Sequence, residues 1–138
     1  MTMFTTEAAV RLKFQVNDTA WAPAALVNDS IANAHAEILR RLDPATPVEP
    51  PAEALMLGET WLAGAHLLRS LASKDAVQQK DVVVGGQRIE TGKRFAALIA
   101  LSERAEREAW AALEPFLLAV PAERLAAVTE STPVLGRE

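Results

Sequence analysis

One stretch of this chain, residues 55–72, is apolar on nearly every side, and a helix of that kind has to lie where neighbours cover it. Leu55, Met56, Leu57, Trp61, Leu62, Leu67, Leu68 and Leu71 leave no clean polar face. Gly58, Ala63, Gly64 and Ala65 thin the surface so that other helices can come close. Glu59, His66 and Arg69 interrupt the run, so it does not read as a bilayer span. The spacing predicts a central helix over about 52–73, around which the rest must be arranged. The chain has 138 residues, enough for one domain with a real core.

The surrounding sequence is helical too. The whole chain holds 27 alanines, no tyrosine and seven aromatics, a composition that favours helices over strands. Thr5 and Thr6 before Glu7 form a helix start, with a hydroxyl to cap the first amides. That first helix ends near 14–16, and Asn17, Asp18 and Thr19 supply turn chemistry. A second helix opens at Pro23. Leu26/Val27, Ile31, Ala34, Ile38/Leu39 and Leu42 recur on one side of it, and Arg40 and Arg41 suit its negative end. Four prolines between 43 and 51 preclude a helix there. The last long helix starts from a Thr91 cap and runs to about 118, with Phe95, Leu98/Ile99, Ser102, Ala105, Ala109, Leu113 and Phe116 on its buried side. Pro115 ends or kinks it near Glu114. One more turn follows over 122–129. The expectation is an all-α bundle of about four main helices in a single domain, 1–129, with 130–138 as a flexible C-terminal arm.

One segment departs from the helical pattern. In residues 81–90, Val82, Val83 and Val84 disfavour helix and Gly85-Gly86 is a two-residue turn signal, with the return limb running through Ile89. This reads as a short β-hairpin or extended loop insert before the last helix. A lone two-stranded hairpin is marginal in water, so either this domain or a neighbouring chain has to cover it.

The search for chemistry returns little. Without cysteine there is no disulfide, thiolate ligand or thiol nucleophile. His66 has Glu59 seven residues before it, but HExxH and ExxH spacings are missing, so a histidine bonded to a backbone carbonyl is the plainer reading. His35 lies beside the second-helix stripe, with Glu37 on a different face, and reads as structural or exposed. Neither GxxxxGK followed by Ser or Thr nor GxGxxG is present. Glu103, Glu106 and Glu108 alternate with arginines as a solvated face does. The reading is therefore a non-enzyme with no metal and no cofactor. The net charge is −4 with no basic stripe, against sequence-specific nucleic-acid binding. The N-terminus shows no signal peptide and no span is seen, so a cytosolic protein without a membrane partner is expected. Trp61 and Trp110 read as core. Trp21 precedes the second helix, either as a staple over its start or as an exposed anchor for a partner.

The order of elements resembles the head–tail adaptor (connector) proteins of tailed bacteriophages and prophages. The resemblance rests on the central helix LMLGETWLAGAHLLRS, in which Leu62–Leu68 is similar to the family's LAAHLL stretch, and on DVVVGGQRIETGKR before the last helix. It covers roughly residues 5–118. It departs where the insert carries Gly-Gly-Gln-Arg in place of a Gly-Asp-Val-Ser type of segment. The resemblance implies a structural virion protein made in the host bacterial cytoplasm and placed in the neck. It would form a homo-oligomeric ring, twelvefold, between the portal protein and a stopper or tail-completion protein. The residues then expected at subunit or partner contacts are Val82, Val83, Val84, Gly85, Gly86, Ile89 and Trp21. In the tail they are Pro133, Val134 and Leu135, on an arm that would reach the portal. The other reading is a cytosolic helical-bundle binding module or regulator, acting as a small homo-oligomer.

Overall fold

The computed structural model describes residues 3–78, 83–84, 87–88 and 91–118. Its described part is mostly helical, a four-helix arrangement: α1 (Glu7–Phe14), α2 (Ala24–Arg41), α3 (Glu53–Gln78) and α4 (Thr91–Leu113), with a 3-10 turn at Glu114–Phe116. The helix α3 touches each of the other three, as an all-round apolar helix must.

Local chemistry sets most boundaries. The Thr6 hydroxyl accepts from the Ala9 amide at 3.2 Å and caps α1. Gln15 closes that helix in the left-handed region (φ 58°), and the Val16 amide returns to the Arg11 carbonyl. The Asp18 carboxylate accepts from the Ala20 and Trp21 amides and forms the turn into α2. Pro115 ends α4, as its missing N–H requires, and the chain tightens into the 3-10 turn. Beyond it Leu117 bridges antiparallel to Leu42. The Asp43 amide donates to Phe116 and the Leu118 amide to Arg41.

The core is aliphatic: Val27, Ile31, Ala34 and Ile38 from α2 meet Leu55, Leu62, Leu67 and Leu71 from α3, with Leu98, Ala109 and Leu113 from α4. Small residues on α3 admit large ones opposite. A methyl on Gly58 would overlap Leu113, and one on Gly64 would overlap the ring of Phe14.

Four expectations need correction. The helix α3 continues past the expected end near 73 to Gln78, and Asp75 in that last stretch is buried and bonded within the bundle. Phe95 is 38% exposed and not on the buried side of α4. Trp61 and Trp110 are half-buried at the margin of the core, each with a cationic side chain over its ring. Of the expected hairpin, only Val83–Val84 and Gln87–Arg88 are described, paired antiparallel as Val83↔Arg88 and Val84↔Gln87. Two rungs, with the turn between them outside the described residues, fall short of establishing a hairpin insert.

Candidate functional site

Three polar groupings tie the helices together, and they decide which surfaces remain open. The deepest is centred on Glu59. This residue sits one turn after Leu55 and one before Leu62, on the buried side of α3, and is fully buried. One carboxylate oxygen accepts from the Phe4 and Thr5 amides at 2.7 and 2.9 Å, and the other lies 2.6 Å from His35 Nδ1. His35 is itself buried, with the Phe4 ring edge-on at 4.8 Å. The hydroxyls of Thr5 and Thr60 pair at 2.6 Å, and the Thr60 hydroxyl also bonds the Met56 carbonyl. The result pins the N-terminal segment to α2 and α3. Phe4 closes the pair from outside, and Glu59 has its oxygens engaged, so the arrangement holds backbone and offers no open face to a substrate.

His35 is buried and bonded, as a structural histidine would be. Glu59 pairs with it and not with His66, since seven residues of helix place Glu59 and His66 roughly 10 Å apart along the axis. One expectation is overturned: His66 bonds the Glu37 carboxylate of α2 at 3.2 Å, where a backbone carbonyl was expected.

The second grouping lies where α3 ends and α4 begins. Asp75 accepts from Arg94 Nε at 2.5 Å and from the Trp21 indole at 3.3 Å. The Arg94 guanidinium stands 6.0 Å from the Trp21 ring, and Lys74 donates to the Trp21 carbonyl at 2.9 Å. The bond from Arg94 holds the Asp75 carboxyl below the usual carboxylate range, with the Trp21 indole helping against the effect of burial. Asp75 raises Arg94 in turn. The third grouping braces α2, α3 and α4 at the surface. Arg69 bonds Glu106, which also accepts from the Trp110 indole, and Arg41 stacks on Trp110 at 4.3 Å. Glu106 is held low chiefly by the Arg69 bond.

Of the contact residues expected from sequence, Trp21 is half-buried in the second grouping and packs against the core. Val83 and Val84 lie in the short strand pairing. Val82, Gly85, Gly86, Ile89, Pro133, Val134 and Leu135 lie outside the described residues. Among the described residues no cluster of three or more His, Asp or Glu side chains could hold a metal ion, and no helix is long and apolar enough to cross a membrane.

The Glu59–His35 and Asp75–Arg94 pairs each join two different helices, which spacing along one helix does not show. The usable signal was register. Asp75 follows Leu71 and Ala72 at helical spacing, and His35 falls between Ile31 and Ile38, so each continues a buried stripe.

The chain matches no protein-family model, no curated protein and no solved structure.

Proposed function

We propose that this chain is a non-enzymatic assembly protein, a head–tail adaptor that joins copies of itself into a ring beneath a phage portal. The observation that supports it is the apolar surface beside the 79–90 segment. Val77, at the end of α3, is 70% exposed and Phe95, at the start of α4, is 38% exposed. The Asp75–Arg94 bond holds these two helix ends together, with Trp21 against it. Val77 and Phe95 flank the insert as exposed apolar side chains, and a partner covering this end would bury both. The valine-rich insert springs from this same end. In this reading it forms a hairpin whose open edge pairs with a neighbouring subunit.

Electron microscopy of the protein mixed with a phage portal protein tests the reading. Rings seated under the portal are expected. A protein that stays monomeric and does not bind the portal overturns it.

A further inference from the structure

A groove of about 310 Å³ runs between the N-terminal ends of α1 and α3, lined by Phe4, Thr6, Ala9, Glu53, Met56 and Leu57 among others. That is the size of a small ligand cleft. Its polar groups are already engaged. The Thr5 and Thr60 hydroxyls bond each other, the Thr6 hydroxyl caps Ala9, and both Glu59 oxygens are taken beneath it. A polar small molecule would find few partners there. Met56 and Leu57 in its lining stand 38–40% exposed, and Glu53 supplies an exposed acid at the rim. The surface therefore fits an apolar segment with a cation beside it.

We infer that this groove receives Pro133-Val134-Leu135 from the C-terminal part of the chain. The described chain ends at Leu118, whose amide bonds Arg41. This is the end of the bundle where Leu113 packs over Gly58, next in sequence to Met56 and Leu57. Fourteen residues, 119–132, separate Leu118 from Pro133. Extended, they span up to about 46 Å, while α3, with its 26 residues, is about 39 Å long. The segment can therefore reach the groove of its own chain or of an adjacent copy. Arg137 follows Leu135 by two residues and would meet Glu53 at the rim. Pro133 fixes one backbone angle in advance, which lowers the ordering cost of docking. This inference stands independently of the portal reading.

The absence of native cysteine makes the test direct. In the full-length protein, Leu57→Cys with Leu135→Cys should form a disulfide under mild oxidation at least tenfold faster than Leu101→Cys with Leu135→Cys. Leu57 and Leu101 are both exposed, so neither change burdens the core. A cross-link within one chain and a cross-link between copies both support the inference, and gel mobility tells them apart. As a second readout without cysteine, Leu135→Asp should shift the Met56 methyl resonance. Equal cross-linking rates for the two pairs, or a Met56 resonance unmoved by Leu135→Asp, would overturn it.

Discussion

At the residue scale, two buried carboxylates set the strongest expectations. Glu59→Ala leaves the Phe4 and Thr5 amides and the His35 ring without their shared acceptor. Unsatisfied buried groups cost about 1–3 kcal/mol each, so a loss of about 3–5 kcal/mol is expected in urea denaturation. Glu59→Gln keeps one acceptor oxygen and should lose less. Asp75 gives a pH dependence. Its folded value lies below the unfolded one, so its contribution is fully present above the ordinary carboxylate range, near pH 4, and is lost as pH falls through the folded value. The thermal midpoint should therefore fall more steeply between pH 5 and 3 for the wild type than for Asp75→Asn. Equal slopes would mean that the Arg94 bond contributes nothing to stability.

At the scale of elements, α3 governs the packing, and its glycines are the places to probe it. Gly64→Ala improves helix propensity by up to about 1 kcal/mol, but the new methyl meets the rigid ring of Phe14. Overpacking costs about 1–3 kcal/mol, so a net loss of about 1 kcal/mol is expected by chemical denaturation. Much of this architecture was legible beforehand. The helices followed from apolar spacing, the Thr6 cap from its hydroxyl and the end of α4 from Pro115, because each is decided by residues near in sequence. The Glu59–His35 and Asp75–Arg94 pairs join residues 24 and 19 positions apart. Such partners are chosen by how helices cross, which no local spacing encodes. Phe95 misled for a related reason: it keeps helical register with Leu98, but the bundle does not cover it.

At the scale of the whole molecule, stability and assembly are expected to separate. The described core runs from Phe4 to Leu113 and is carried by the four helices and the segments that flank α1. Deleting 82–89 should leave the far-UV circular dichroism and the cooperative unfolding of the bundle intact while abolishing ring formation in size-exclusion chromatography and electron microscopy. If assembly survived the deletion, the insert would be a connector between α3 and α4 and nothing more.

The bridge between Leu42 and Leu117 has a mechanical consequence. Backbone bonds at Arg41 and Asp43 fasten the chain just before residue 119 to the end of α2. Tension applied through the C-terminal segment is passed to α2 first, and α4 is shielded from being peeled off α3 turn by turn. A pull at that end loads the bundle as a unit.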